Sequence, residues 1–146
     1  MSTCGLPDFV NTAMARINQY RAAGATCGSR GAFAATTALS WNNQLTQASD
    51  GHSVDMAAKN YFSHTSLDGR TFSQRISATG YAWSTAGENI AAGYGTMNAV
   101  IDGWMASEGH CANLMNPAFT QVGLACASNA SSTYRSYWTM ELAKPR

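Results

Sequence analysis

The sequence has little charge and no long apolar run. Charged residues make up 12% of its 146 residues, and nine Lys and Arg nearly balance eight Asp and Glu, which gives a net charge of +1. So few and scattered basic residues exclude the positive patch that collects nucleic-acid phosphates, and they give no reason to expect an anionic membrane as a partner. No stretch approaches the roughly 20 apolar residues of a spanning helix, so we expect no transmembrane segment.

The four cysteines, Cys4, Cys27, Cys111 and Cys126, include no C-x-x-C pair of the kind that binds zinc. An even number of cysteines in a polar, lysine-poor chain predicts two disulfides, and therefore a secreted or periplasmic protein. The residues alone leave the connectivity open. The N-terminus has no signal-peptide pattern, and we expect the natural signal to have been removed.

The length and the helical periodicity of the apolar residues predict one domain, residues 1–146, with four helices. The predicted helix boundaries are Pro7 to Gly24 for the first, Ser40 as cap of the second, Thr71 with a capping box for the short third, and Thr96 as cap of the fourth. The inner stripe of the second helix contains His52. The fourth helix is expected to end just before His110, so that the imidazole faces an opening.

The remaining segments predict loops and strands. Residues 25–39 are expected to form a long loop that a disulfide ties down, and the glycine-flanked GENI segment, 87–90, is placed on a loop or short extended segment. Alternating residues predict strands over 121–128 and 134–140, joined by a polar loop. Because the helices come first and an antiparallel sheet comes last, the fold class is α+β.

Two histidines and one glutamate are the first candidates for chemistry. Two imidazoles and a carboxylate offer the lone pairs that Zn²⁺ accepts, so His52, His110 and Glu88 form a candidate ligand set. They lack the H-E-x-x-H spacing, and a histidine satisfied within a core or cleft is the competing interpretation for each. His64, next to a turn, is predicted to be solvated or structural.

A nucleophile is not identified by pattern. Ser107 lacks the glycine that a G-x-S-x-G elbow needs two residues before it, because Met105 stands there. Cys111 follows His110 directly, and neighbouring helical residues point roughly 100° apart. The even cysteine count favours Cys111 as half of a disulfide.

An ordered series of motifs resembles the CAP superfamily, the cysteine-rich secretory protein, antigen 5 and pathogenesis-related 1 group, in its bacterial SCP-domain form. The series extends from the second predicted helix to the last strand. Its members are LSWN at 39–42, HSVDMA at 52–57, YFSH at 61–64, DG at 68–69, GY at 80–81, GENIA at 87–91, the segment 104–113, VG at 122–123 and YWT at 137–139.

This resemblance implies a three-layer α-β-α sandwich with a central antiparallel sheet and a solvent-open cavity. His52 matches the family's first cavity histidine, Glu88 the glutamate of its Gly-Glu-Asn motif, and His110 the histidine of its Gly-His motif. The resemblance therefore implies that these three residues bind a divalent metal, with zinc expected.

Three further residues are implied to surround that set: Ser107, Asn89 and Glu108. Ser107 stands where animal and plant members often carry a second glutamate, and this departure weakens any mechanism that needs two carboxylates, unless Glu108 turns into the site. The resemblance also favours disulfides from Cys27 to Cys111 and from Cys4 to Cys126. The local alternative, Cys4 with Cys27 and Cys111 with Cys126, stays open.

The function implied is that of a secreted, monomeric binding module with a metal-holding cavity. Its ligand is expected to be a sterol, a fatty acid or a protein partner, and nucleic acid is not expected. The alternative is a metal-assisted hydrolase in which Glu88, His52 or His110 acts on a water molecule. Because no nucleophile or substrate groove is identified, catalysis is the second hypothesis.

Overall fold

A computed structural model describes residues 1–146 as a four-stranded sheet between two layers of helices. The helices are α1 (Phe9–Ala23), α2 (Asn43–Lys59), α3 (Phe72–Ala78), α4 (Met97–Met105) and α5 (Glu108–Met115). The strands are β1 (Ala25–Thr26), β2 (Ala32–Phe33), β3 (Ser40–Trp41), β4 (Trp83–Ala92), β5 (Gln121–Ser128) and β6 (Ser136–Pro145). The α+β class and the three-layer sandwich are confirmed.

The main sheet has the strand order β3-β5-β6-β4. Its three long strands are antiparallel, as the resemblance implies, while the two-residue β3 runs parallel to β5. Strand β4 lies at one edge of the sheet. β1 and β2 form a separate antiparallel pair, so the segment predicted as a long loop contains a small hairpin and a 3₁₀ turn at Gly28–Arg30.

Alternation along β6 divides its side chains between the two helical layers. Trp138, Met140 and Leu142 belong to a 17-residue apolar cluster with residues of α1, α4 and α5. On the other face, α2 lies directly against β5, because a Cβ on Gly123 would overlap the backbone of Leu45 and Thr46. The VG pair of the motif series therefore allows the close approach that brings α2 over the sheet.

Three predicted helix boundaries are confirmed and one is wrong, and the confirmed ones include Thr96, whose side chain caps α4. Helix α1 ends before Gly24, and both hydrogen bonds of the predicted capping box are present at Thr71. Ser40 does not cap α2, because it pairs with Gln121 in the sheet. Asn42 is the cap instead, and its side chain accepts a hydrogen bond from the Leu45 backbone N–H at 2.9 Å.

Of two placements near the candidate site, the extended alternative for the GENI segment is confirmed, although the strand is longer than predicted, and the placement of His110 is wrong. The GENI segment, 87–90, lies in the middle of the ten-residue β4, where register with β6 holds it. His110 does not follow the end of a helix. The chain breaks between α4 and α5, and His110 lies in the first turn of α5, with Ser107 as the residue before that helix.

Disulfides join Cys4 to Cys126 and Cys27 to Cys111, the pairing that the resemblance favours. The first ties the N-terminus to β5, and the second ties α5 to the segment that follows β1. None of the five helices combines the length and the apolar character that crossing a bilayer requires. The last strand is also longer than the predicted 134–140, since β6 continues to Pro145.

Candidate functional site

A buried carboxylate, Glu88, lies at the centre of the site. Its Oε1 is 2.7 Å from His64 Nδ1, and its Oε2 accepts a hydrogen bond of 2.5 Å from the Arg75 guanidinium. Burial, the largest influence, would alone raise the pKa of Glu88, but the hydrogen bond with His64, the adjacent Glu141 carboxyl group and the charge of Arg75 together lower it. Glu88 is therefore an ionised carboxylate with both oxygens engaged.

A second carboxyl group, that of Glu141, lies beside Glu88. The two residues are register partners on β6 and β4, and Glu141 is fully buried. Neither Glu141 oxygen finds a donor in the protein. Burial is the main cause that raises the pKa of Glu141 well above its ordinary value, and the charge of the nearby Glu88 raises it further. Glu141 is therefore a neutral acid, since two ionised carboxylates side by side in the interior would repel each other.

His52 is buried on α2, as its place in the inner stripe predicts. Its Nε2 lies 2.7 Å from the Ser63 carbonyl oxygen. A carbonyl oxygen only accepts, so Nε2 carries the proton. Burial, with the charge of Arg75, lowers the pKa of His52. The ring is therefore neutral, and its Nδ1 is a buried acceptor without a partner.

His52 opens onto a cavity between α2 and α3, which we call the arginine cavity. It has a volume of about 190 Å³ and is lined by Gln47, Ala48, Gly51, His52, Arg70, Arg75, Ala78 and Thr79. The lining has two arginines and no acidic side chain. Its rim is exposed and its inner wall, which includes His52 and Arg75, is buried.

His110 opens onto a different cavity, at the outer edge of β4. His110 Nδ1 lies 3.0 Å from the Ser107 hydroxyl, which makes no capping bond to α5. Burial and the charge of His64 lower the pKa of His110. A neutral imidazole and a serine hydroxyl therefore meet in a site that is partly open to solvent.

This second space, which we call the aromatic cavity, has a volume of about 310 Å³. Its polar lining residues are Ser107 and His110, and Gly103 also lines it. Seven apolar residues form the rest of its lining: Phe62, Ile90, Ala91, Ala92, Tyr94, Trp104 and Tyr134. The rings of Phe62 and Tyr134 meet edge to face, with 6.0 Å between their centroids. The cavity is thus apolar with one polar corner.

The other two residues implied to surround the site have different roles. Asn89 is buried, donates to the His110 carbonyl oxygen at 3.2 Å and accepts from Asn113 at 3.0 Å, so it holds α5 against β4. Glu108 is exposed and points away from the site to Ser29, with which it makes a hydrogen bond. It therefore does not replace the carboxylate that is absent at Ser107.

As arranged, the three predicted metal ligands do not fit a metal ion. No group of three His, Cys, Asp or Glu side chains lies close enough together to hold one. His52 and His110 line separate cavities, and Arg75 and His64 already engage both oxygens of Glu88. Metal binding therefore stays a prediction.

Three residues at the centre of the site were not predicted to be site residues. Arg75 and Glu141 carry no motif, and His64 was predicted to be merely solvated or structural. One signal for Glu141 was present, because it continues the alternation of Tyr137 and Thr139 along one face of the last strand. For Arg75 and His64 the contact with Glu88 is long-range, and no local pattern encodes it.

Comparison with known proteins gives the family. The profile of the cysteine-rich secretory protein family, CAP, matches residues 14–142. Two Bacillus subtilis proteins are similar in sequence. YkwD is 36% identical over 103 residues, 70% of this chain and 38% of YkwD. The membrane protein YlbC is 34% identical over 106 residues, 73% of this chain and 29% of YlbC. The chain thus spans about a third of the length of these relatives.

Solved structures agree with that match. An extracellular protein containing an SCP domain, from Bacillus anthracis, has a TM-score of 0.70 and 31% identity, over 95% of this chain and 44% of that one. An outer surface protein from Borrelia burgdorferi has a TM-score of 0.69 over 76% of this chain and 80% of its own. Its 20% identity shows a shared fold alone. Motifs, fold and profile agree, and the chain belongs to the cysteine-rich secretory protein (CAP) family.

Proposed function

We propose that this chain is an extracellular binding module that holds a fatty acid in the aromatic cavity. The observation that carries the proposal is the exposure of three aromatic side chains at one cavity: Phe62 at 44%, Tyr94 at 37% and Tyr134 at 51%. Large apolar side chains kept exposed around a concave site are typical of ligand binding. The cavity volume is at the lower end of the ~300–1,000 Å³ range of ligand pockets.

The polar corner supports an amphipathic ligand. The Ser107 hydroxyl donates to a carboxylate, while the apolar wall contacts the hydrocarbon chain. Two disulfides support an oxidising, extracellular location, and the Bacillus anthracis relative is itself described as extracellular. A sterol, whose polar group is a single hydroxyl, is the other apolar ligand that the test includes.

Binding of palmitic acid and of cholesterol, measured by calorimetry, tests the proposal. Phe62→Ser should weaken palmitate binding about tenfold, because it removes roughly 1.5 kcal/mol of apolar contact. Leu67→Ser is the matched control, since Leu67 is more exposed, at 62%, and does not line the cavity. Unchanged affinity in Phe62→Ser, or an equal loss in both variants, contradicts the proposal. Binding of cholesterol alone would replace the fatty acid by a sterol.

A second candidate function is ester hydrolysis, which the 3.0 Å contact of Ser107 with His110 favours. In this reaction the Ser107 hydroxyl oxygen attacks the ester carbonyl carbon, and its proton passes to His110 Nδ1. The bond to the leaving alcohol breaks, and the alcohol takes that proton. Water then hydrolyses the acyl-serine and releases the acid.

A fluorophosphonate probe followed by peptide mass spectrometry tests this candidate. We expect the label on Ser107, and we expect it to be lost in Ser107→Ala and His110→Ala. The matched control is Ser131→Ala, which changes an exposed loop serine remote in sequence from the pair. Equal labelling of the Ser107→Ala variant would exclude the serine as nucleophile.

Zinc binding by His52, His110 and Glu88 is the remaining proposal, and it requires the three side chains to move together, because as arranged they do not form a ligand set. A neutral His52, with Nε2–H on a carbonyl and a free Nδ1, has the hydrogen bonding that metal-ligating histidines use. The lowered pKa of both histidines keeps the rings neutral, so affinity should fall only below about pH 6.5. Equal zinc affinity in wild type and in a His52→Ala/His110→Ala variant contradicts this proposal.

A further inference from the structure

The arginine cavity differs in charge from the rest of the site. Arg75 and Arg70 supply two guanidinium groups, and no acidic side chain lines the space. Arg70 is exposed at the rim, where it also contacts Asp68. Arg75 is buried in the inner wall. Guanidinium groups without a lining carboxylate favour an anion over a cation.

Two buried nitrogens of this cavity's inner wall have no partner in the protein. Arg75 donates through its terminal nitrogens to Ser66, to the Arg70 carbonyl and to Glu88, but its Nε–H donates to nothing. His52 Nδ1 accepts nothing. Buried polar groups are paired in most proteins, so an unpaired donor and an unpaired acceptor on residues that line one cavity point to a ligand or water that satisfies both.

We infer that the arginine cavity binds a small oxyanion that carries its own O–H group. Its negative oxygens accept from Arg75 Nε and from Arg70, and its O–H donates to His52 Nδ1. Hydrogenphosphate and 2-hydroxycarboxylates both have this combination. Sulfate has the same shape and charge as hydrogenphosphate but no proton near neutral pH, so it leaves His52 Nδ1 unpaired.

The shape of the cavity agrees with a ligand of this size. About 190 Å³ accommodates a few non-hydrogen atoms rather than a long chain. Gly51 lies at the exposed mouth, and nothing lies within 4 Å of the position its Cβ would take. Both unpaired nitrogens are closed off from solvent in this conformation. Arg70 therefore makes the first contact, and the Arg75 and His52 side chains must turn toward the bound anion.

Amide chemical shifts of ¹⁵N-labelled protein, followed during titration with sodium phosphate, sodium sulfate, lactate and acetate at constant ionic strength, test the inference. Phosphate should shift the amides of Ala48, Gly51, Ala78 and Thr79 in a saturable manner. Sulfate should bind at least about tenfold more weakly. Among the carboxylates, lactate should bind and acetate, which lacks the hydroxyl, should not. The comparison of phosphate with lactate identifies the source of the oxyanion.

Two variants locate the site without disturbing the buried wall. Arg70→Ala should weaken phosphate binding about tenfold, while Arg30→Ala, at an exposed arginine outside the cavity, should leave it unchanged. Gly51→Gln should abolish binding by filling the mouth, and its helical backbone accepts a side chain. Equal shifts with phosphate and sulfate, or shifts that survive Gly51→Gln, would identify an adventitious ion only. No saturable shift with any anion would leave only water there. Each of these results overturns the inference.

Discussion

The two faces of the sheet are built on different principles. The face toward α1, α4 and α5 belongs to one apolar cluster of 17 buried residues. The face toward α2 and α3 has two apolar clusters of five residues each. Between these two clusters lie the buried polar side chains His52, Ser53, Glu88, Thr139 and Glu141. The first face is continuous, whereas the second is divided by a polar band.

The buried arginines of the two faces show what this difference means. Arg21, on the continuous face, donates only to the backbone carbonyls of Thr37, Leu114, Asn116 and Phe119. It joins three segments of chain, and each of its three nitrogens has a backbone partner. Arg75, in the polar band, instead pairs with a carboxylate and keeps one N–H free. One face thus serves stability, and the other keeps reactive groups buried in defined positions.

Breaking the Arg75–Glu88 pair should have the largest effect. Arg75→Met leaves Glu88 as a buried charge without its main cation, and we expect a loss of about 4 kcal/mol in the free energy of unfolding. Adding Glu88→Gln to that variant should restore most of it, because the charge is then removed as well. Urea denaturation measures both. A double variant as unstable as the single one would show that Arg75 acts through packing rather than charge.

A matched pair of leucines compares the two faces directly. Leu124 lies in the large cluster and Leu45 in a small one, and both are fully buried. Leu124→Ala should cost about 3 kcal/mol and Leu45→Ala about 2 kcal/mol, because a small cluster beside a cavity relaxes more easily around the lost volume. Thermal and urea unfolding give the two values. A larger loss for Leu45→Ala would contradict the view that stability is concentrated on the continuous face.

The continuous face was largely predictable from the sequence, and the polar band was not. Helical periodicity located α1 and α4, and alternation located β5 with its observed boundaries. The boundaries that failed are those set by tertiary pairing. Ser40 lies in the sheet because it pairs with Gln121. The GENI segment is a strand because its residues pair with β6. Local propensity contains no information about either partner.

The same limit applies to the site. Motifs identified His52, Glu88 and His110, but the structure directs the two histidines to separate cavities. The contacts of Glu88 come from Arg75, 13 residues earlier, and from His64, 24 residues earlier. Such distances lie beyond any helical or strand period. A resemblance can therefore name the reactive residues while their partners, which decide the chemistry, depend on the folded chain.

The smallest effect should come from Glu141→Gln, which replaces the neutral acid by a neutral amide of the same shape. The raised pKa of Glu141 means that the folded protein keeps a proton which the unfolded chain loses above about pH 4.5. This contribution to stability is full below that pH and is lost as pH rises through the folded-state pKa.

Glutamine does not titrate, so the two proteins should have equal stability near pH 4, and the variant should be the more stable at pH 7, where the unfolded wild-type chain gains free energy by losing the proton. Urea denaturation at both pH values measures the difference. Glu108→Gln is the control of opposite sign, because the hydrogen bond with Ser29 lowers the pKa of that exposed carboxyl. If Glu141→Gln is less stable than wild type at pH 7, the buried acid is ionised rather than neutral, and the prediction is wrong.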